Sequence, residues 1–312
     1  MLIGRSWQIV VPLSPFLDMA FARVLERHAS AIERRLEALL AGNEDAPTAL
    51  EAAMRYATLG GGKRIRPFLL IESARLFGVV EDRALDAACA LECVHCYSLA
   101  HDDLPAMDDD DMRRGRPTLH IAFGEATAIL AGDALLTLAF EILSSPASHE
   151  DADIRAELVF NLAKAAGWRG MALGQAIDLD AERQDLNADG VAGMQALKTG
   201  ALFRFACEAG AILGRASASD REKLRAYATA LGQAFQLADD LLDAQGDAKA
   251  VGKAVAKDEG RGKATLVALL GVEGAKARLA ALVAEAENAV APFGSKAATL
   301  IEAARFIAER RT

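Results

Sequence analysis

Two clusters of aspartate dominate the chemistry this sequence can perform. The first is Asp102-Asp103-Leu104-Pro105-Ala106-Met107-Asp108, extended by Asp109, Asp110 and Asp111 and followed by Arg113-Arg114-Gly115. The second is Asp239-Asp240-Leu241-Leu242-Asp243. Each follows an apolar helical stretch, Ala87 to Leu99 for the first and Tyr227 to Leu237 for the second. Adjacent ionised carboxylates at the end of a buried helix repel each other and lose hydration, so something must pair with them. Hard cations such as Mg²⁺ do so through oxygen ligands, usually one or two carboxylates plus phosphate oxygens of a substrate. Opposed across a helical bundle, the two clusters could hold several Mg²⁺ around one diphosphate.

The spacing inside each cluster sets a structural demand. Asp102 and Asp108 are six residues apart, about 240° around a helix at ~100° per residue. One regular helix cannot aim both at one ion, so Pro105 is expected to end or distort it. Asp239 and Asp243 are i and i+4 and share one helix face. Arg113 and Arg114 place fixed positive donors beside the first cluster, in the residue type suited to bidentate phosphate recognition. Asp109 to Asp111 also fit a plain solvated acidic loop. A Gly-rich turn with cations, Gly60-Gly61-Gly62-Lys63-Arg64-Ile65-Arg66-Pro67, reads as an anion cradle. It is not the nucleotide-binding phosphate loop, because Arg64 stands where Ser or Thr is needed. Lys198-Thr199-Gly200, Gly252-Lys253, Lys257-Asp258 and Lys263-Ala264-Thr265 are weaker features, each also readable as solvated lysine. Lys253 and Lys263 follow the second cluster closely enough to reach an anion held there.

Helices must position these groups. Apolar residues recur at helical spacing, with no sustained alternation rich in β-branched residues. Gly, Pro and Asn punctuators divide the chain into about ten helices. A length of 312 residues suggests about two domains. The lack of any linker or repeat favours one large helical domain over residues 31–312, with residues 1–30 as an N-terminal arm. The net charge of −9 argues against a nucleic-acid binder, which needs a basic face. The longest run without Asp, Glu, Lys or Arg is residues 226–238, shorter than the ~20 residues of a spanning helix. No stable membrane insertion is expected. Cys89, Cys93 and Cys96 share a helix face with Val94 and Leu99 nearby. Together with Cys207 they read as reduced core thiols rather than a zinc site, and a cytoplasmic location follows.

The combined motifs resemble the trans (head-to-tail) isoprenyl diphosphate synthases, the polyprenyl synthetase family, and most closely its bacterial farnesyl-forming members. Gly61-Gly62-Lys63-Arg64-Ile65-Arg66-Pro67 is similar to that family's GGKRxRP. Asp102-Asp103-x4-Asp108 with Arg113-Arg114-Gly115 resembles its first Asp-rich motif in the form with two extra residues. Gly174-Gln175-x-x-Asp178, Lys198-Thr199-Gly200, Phe235-Gln236-x-x-Asp239-Asp240-x-x-Asp243, Gly252-Lys253 and Lys257-Asp258 match as well. The resemblance runs from about Ala38 to the C-terminus.

The resemblance implies an all-α bundle of the isoprenoid synthase type around a central cavity, working as a homodimer. It implies that Asp102, Asp103 and Asp108 bind two Mg²⁺ and that Asp239, supported by Asp243, binds a third; Mn²⁺ can substitute. The metals, with Arg113, Lys198, Thr199, Gln236, Lys253 and Lys263, would hold an allylic diphosphate. Lys63, Arg66, His95 and Arg114 would hold isopentenyl diphosphate. The implied reaction is a head-to-tail condensation through an allylic carbocation, giving farnesyl diphosphate and diphosphate. Asp102, Asp103, Asp239 and Lys198 would be its catalytic centre. In this family a bulky aromatic at the position of Tyr97, five residues before Asp102, floors the cavity at fifteen carbons, with Ser98 beside it. Plain core packing is the alternative for Tyr97. Geranylgeranyl or geranyl diphosphate are alternative products. A class I terpene cyclase is a further alternative, and a cyclase could dispense with Lys63, Arg66 and Arg114. A non-catalytic partner subunit would have lost an Asp cluster, and both are intact. The chain departs from many relatives at Ala264-Thr265-Leu266, and Arg310-Arg311 matches no motif.

Overall fold

In the computed structural model, residues 15–42, 48–181, 186–250 and 266–309 are described. The helices are α1 Pro15–Leu39, α2 Ala49–Thr58, α3 Ile65–Arg75, α4 Glu81–Asp102, α5 Leu119–Phe123, α6 Glu125–Ser144 and α7 Ala152–Ala166. They continue as α8 Met171–Ala181, α9 Ala188–Lys198, α10 Gly200–Leu213, α11 Ala218–Ala250 and α12 Leu266–Val290. A 3₁₀ turn, Ala291–Ala297, leads into α13 Ala298–Glu309. The fold is all-α, as the helical periodicity predicts.

Local sequence fixes several helix starts. Thr48 and Glu51 form a reciprocal capping box on α2, with Glu51 accepting from the Thr48 amide at 2.6 Å. Asn187 caps α9 by accepting from the Gly190 amide at 2.9 Å. The arrangement of the helices follows from their apolar faces. α3 and α10 are apolar nearly all round and are buried on almost every residue, as central helices must be. They pack against each other and against α4, and α10 also packs against α7 and α11. One apolar core runs without a break from Phe21 and Leu25 in α1 to Ala304 and Ile307 in α13. A smaller cluster lies under α2, α5 and α6. Buried Tyr227 of α11 donates to the Leu300 carbonyl of α13 at 2.7 Å, satisfying its hydroxyl inside the core.

Three features differ from the sequence expectations. Residues 15–30, grouped with an arm from sequence, form the first part of α1, and Phe21, Leu25 and His28 are buried. The apolar spacing there is helical, but Pro12 and Pro15 mask its start. The second difference is a two-stranded hairpin, β1 Met112–Arg113 and β2 Arg116–Pro117, paired Met112 with Pro117 and Arg113 with Arg116. Strands of two residues are too short to leave a periodic signal. The third is α6, which is long and apolar enough by composition to cross a membrane. Glu125, Asp133 and Glu141 interrupt its sequence, so a search for uncharged runs passes over it. One face of it packs on α4 and α2. All four cysteines are buried free thiols, and burial pushes each thiol pKa up.

Candidate active site

The first aspartate cluster forms where α4 stops. Asp102 is the last helical residue, and Asp103 caps the end. Pro105 breaks the regular path as expected, and the chain folds back so that the Asp108 amide donates to the Asp102 carbonyl at 2.8 Å. Asp109 follows with φ of 54°, a left-handed conformation that is costly for a non-glycine residue. The turn brings Asp108 close enough to Asp102 for their charges to repel. Burial pushes the Asp102 carboxyl up to about 6; Lys198 opposes this, and Asp108 and Asp103 add to it.

The hairpin then separates the two arginines. Its turn residues Arg114 and Gly115 have φ of 52° and 73°, the pair of positive values a tight two-residue hairpin needs. Arg113 turns inward onto Asp103, which is buried. Its Nε donates to Oδ1 at 2.7 Å, and Nη2 lies 2.6 Å from the same oxygen. Arg114 crosses to the Gly-rich turn, where its Nη1 donates to the Gly61 carbonyl at 2.5 Å. Gly62 has φ of 126°, and a Cβ there would lie 2.6 Å from that Arg114 nitrogen. Only glycine admits both the backbone angle and the guanidinium.

Arg64 also adopts a left-handed conformation, at the start of α3. Its guanidinium is buried and donates to Glu92 and Glu33 at 2.6 Å each, and to the Thr58 carbonyl at 2.5 Å. Among the described residues, three of the four non-glycine residues with positive φ, namely Arg64, Asp109 and Arg114, therefore border this region. Strain of this kind persists where surrounding contacts over-determine it, and it gathers at functional sites.

The second cluster is a regular helix surface. Asp239, Asp240 and Asp243 lie on α11. Asp240 is buried and accepts from the Gln195 amide at 3.2 Å and from the Gln236 amide at 3.0 Å. The Gln236 carbonyl oxygen accepts from the Thr199 hydroxyl at 3.2 Å, so α9, α10 and α11 are joined through uncharged groups. Asp243 is exposed. Lys198 ends α9, and its Nζ donates to Asp178 of α8 at 2.5 Å. Gly174 makes this possible: a Cβ there would lie 2.1 Å from the Lys198 amide nitrogen.

Two cavities lie between the clusters. One, of about 390 Å³, is bordered by Asp102, Lys198 and Thr199. Its walls are Tyr97, Ser98, Met107, Met171, Ala172, Ala176, Leu179 and Leu202, and both side-chain amide atoms of Gln175 are buried there without partners. Tyr97 packs edge-on against His101 with ring centroids 5.8 Å apart, and burial pushes its hydroxyl up to about 12. The other cavity, of about 500 Å³, is lined by Lys63, Arg66, His95, Arg114, Phe235 and Asp239. Arg66 and His95 line both cavities and form their shared wall. Arg66 stacks on Phe203 at 5.0 Å and on Phe235 at 5.8 Å, and its buried Nε has no partner. Burial pulls Arg66 down to about 10, so it remains charged near neutrality. His95 lies 3.4 Å from Arg66; burial, followed by the nearby arginines, holds it well below its usual range as a neutral acceptor.

Of the predicted residues, Lys63, Arg66, His95, Tyr97, Ser98, Asp102, Arg114, Lys198, Thr199 and Asp239 line one of these two cavities, whereas Asp103, Asp108, Arg113, Gln236 and Asp243 line neither. Lys253 and Lys263 lie outside the described residues, as do Lys257 and Arg310-Arg311. Among the described residues, no three His, Cys, Asp or Glu side chains form a ready-made metal cage. Asp102, which borders the first cavity, and Asp108, close enough to repel it, fit Mg²⁺, which takes few protein ligands and completes its shell with water and phosphate oxygens. Sequence reasoning missed Glu92 and Gln175. Glu92 was visible as the one acid within the apolar run of α4, and Gln175 stood in a motif with no role attached to it.

The polyprenyl synthetase family model matches residues 47–298. A farnesyl diphosphate synthase of Escherichia coli (strain K12) is 45% identical over 279 residues, covering 87% of this chain and 92% of that protein. The large subunit 1 of a heterodimeric geranylgeranyl pyrophosphate synthase, chloroplastic, of Arabidopsis thaliana is 42% identical over 273 residues, covering 85% and 73%. The crystal structure of an FPP/GFPP synthase from Zymomonas mobilis superposes with a TM-score of 0.85 at 46% identity, covering 93% of this chain and 99% of that one.

Proposed function

This chain belongs to the polyprenyl synthetase family, and from that premise we infer that it condenses isopentenyl diphosphate with an allylic diphosphate to give farnesyl diphosphate. The observation that carries this reading is the pair of cavities sharing the Arg66–His95 wall. A reaction joining two diphosphate esters needs two anion sites side by side, whereas a cyclase needs one.

The allylic substrate would place its diphosphate by Asp102, Lys198 and Thr199, with its hydrocarbon along Tyr97, Met171, Leu179 and Leu202. Isopentenyl diphosphate would be held by Lys63, Arg66 and Arg114, with neutral His95 accepting a hydrogen bond. Asp102 and Asp108 on one side, and Asp239 supported by Asp243 on the other, would hold Mg²⁺. When bound, the ions neutralise the charge that develops on the departing diphosphate. Asp103 accepts from Arg113, which supports a reading in which both shape the site from behind, in place of the metal and diphosphate roles that the resemblance implies. The apolar walls keep out water, which would otherwise quench an allylic cation. The released diphosphate serves as base for the final proton, so no side-chain base is required.

Tyr97 supports a farnesyl product, because it narrows the allylic cavity below Ser98 and His101. Exposed Ile121, Ile129 and Leu130 on α5 and α6 support a homodimer, since a second copy would cover them. We place the enzyme in the cytoplasm, with Mg²⁺ as the working ion. The test is incubation with labelled isopentenyl diphosphate, dimethylallyl or geranyl diphosphate, and Mg²⁺. A labelled fifteen-carbon alcohol after dephosphorylation is the expected outcome. A cyclic hydrocarbon, or no elongation, would reject the assignment.

A further inference from the structure

Away from both substrate cavities, α7, α10 and α11 enclose a third hollow of about 250 Å³. Lys164, Arg169, Arg204 and Arg225 surround it, with Glu208 as its one carboxylate. Glu208 is already taken. Arg225 donates to it through Nη2 at 2.8 Å and Nε at 3.3 Å, and also donates to Glu222 at 3.0 Å. Arg225 is thus shared between two carboxylates, and these three groups together carry a net negative charge. Among the described residues, Lys164, Arg169 and Arg204 have no carboxylate within ion-pair distance.

These three cations are not ordinary solvated side chains as a set. Arg204 is half-buried, and removing a guanidinium from water without a counter-charge is unfavourable. Burial pulls Arg204 below its usual range, and Glu208 only partly offsets this. Arg169 stacks on Trp168 with its guanidinium 4.4 Å from the ring centroid, which fixes the fork at the rim. Lys164 is exposed opposite it on the last turn of α7. A half-buried fork, a stacked fork and an exposed point charge around one hollow suit tetrahedral oxyanions. The hollow also lies directly behind the allylic cavity. Gly170 and Ala201 line the hollow, while Met171 and Leu202, their chain neighbours, line that cavity.

We propose that this hollow is a second anion-binding site, built for a phosphate or diphosphate group and separate from both substrate cavities. Three cations outside any ion pair among the described residues, with Glu208 only partly offsetting Arg204, match a compact ligand carrying two or more negative charges. Two sources share that chemistry: free inorganic diphosphate and the head group of a prenyl diphosphate.

Trp168 provides a local readout. The chain has two tryptophans, so Trp7→Phe leaves Trp168 as the sole emitter beside Arg169. The full chain in this background is titrated without Mg²⁺, first with inorganic diphosphate and separately with farnesyl diphosphate. The expected result is a saturable emission change whose Kd rises at least ~10-fold in Arg204→Gln and in Lys164→Ala. Lys164→Ala removes an exposed side chain, so its melting temperature and basal turnover are expected to stay unchanged. Tighter binding of farnesyl diphosphate assigns the prenyl source; equal or weaker binding assigns free diphosphate. No saturable change with either probe, or the same Kd in all three proteins, overturns the site.

Discussion

The two aspartate pairs look alike in sequence and are built in opposite ways. Asp102-Asp103 sits where a helix is broken, beside a strained turn and a hairpin. Asp239-Asp240 sits on the surface of one continuous helix. In each pair the first residue borders a substrate cavity, and the second is buried and tied to the fold. The ties differ in kind. Asp103 is held by the guanidinium of Arg113, whereas Asp240 is held by the uncharged amides of Gln195 and Gln236. The same DD signature thus combines one cavity-facing carboxylate with one anchor. The anchor's partner is charged where backbone must be bent and neutral where a helix already supplies the geometry.

Four changes would break or sharpen this contrast. The largest effect is expected for Asp102→Ala and Asp239→Ala, each lowering turnover by roughly 10³-fold or more, because charge stabilisation in the transition state is lost. Far-ultraviolet circular dichroism of both variants should match the parent. Wild-type rates in both would remove the metal assignment.

Next is the anchor comparison. Asp103→Asn strips the partner from a partly buried guanidinium and should cost about 3 kcal/mol of stability. Asp240→Asn alters hydrogen bonds between neutral amides and a carboxylate and should cost about 1 kcal/mol. Urea denaturation of the metal-free proteins measures both, and equal losses would erase the proposed difference.

The third concerns product length. Tyr97→Ala opens the base of the allylic cavity and should shift the main product from fifteen to twenty carbons or more, with turnover reduced less than tenfold. An unchanged product profile would return Tyr97 to core packing.

The smallest effect is pH-dependent. Asp102 holds its proton up to about 6, well above an ordinary aspartate, so the folded state binds that proton more tightly than the unfolded state. Its contribution is present in full below the unfolded value and is lost as pH rises through about 6. Without metal, Asp102→Asn should therefore melt a few degrees higher than wild type at pH 8 and no higher at pH 4. Added Mg²⁺ should narrow the gap at pH 8 by stabilising the wild type more than the variant. A gap that is the same at both pH values would contradict the buried, repelled carboxylate.

Much of the site was legible because its residues come as local signals. Asp239 and Asp243 share a helix face by spacing alone, and Pro105 announces the break that brings Asp108 back to Asp102. The convergence of Lys63, Arg66, His95 and Arg114 was legible only through resemblance, because those residues come from the Gly-rich turn, α3, α4 and the hairpin turn. What stayed hidden is long-range pairing. Nothing in the sequence says that Arg113 faces Asp103 while its neighbour Arg114 crosses to Gly61; a two-residue turn with both φ values positive decides that. Arg64 belongs to the same Gly-rich stretch as Lys63 and Arg66, yet its guanidinium is spent on Glu92 and Glu33. The beginning of α1 and the apolar length of α6 escaped rules based on uninterrupted runs, because core helices tolerate scattered charges at their surface.

The division of labour within each pair is tested most directly by the Mg²⁺ dependence of turnover in four variants, Asp102→Asn, Asp239→Asn, Asp103→Asn and Asp240→Asn. The first two should need at least ~10-fold more Mg²⁺ for half-maximal rate, since each loses a charged oxygen ligand. The last two should keep the wild-type Mg²⁺ midpoint while losing stability. A midpoint in Asp240→Asn or Asp103→Asn displaced as far as in Asp239→Asn or Asp102→Asn would contradict the assignment of ligand and anchor.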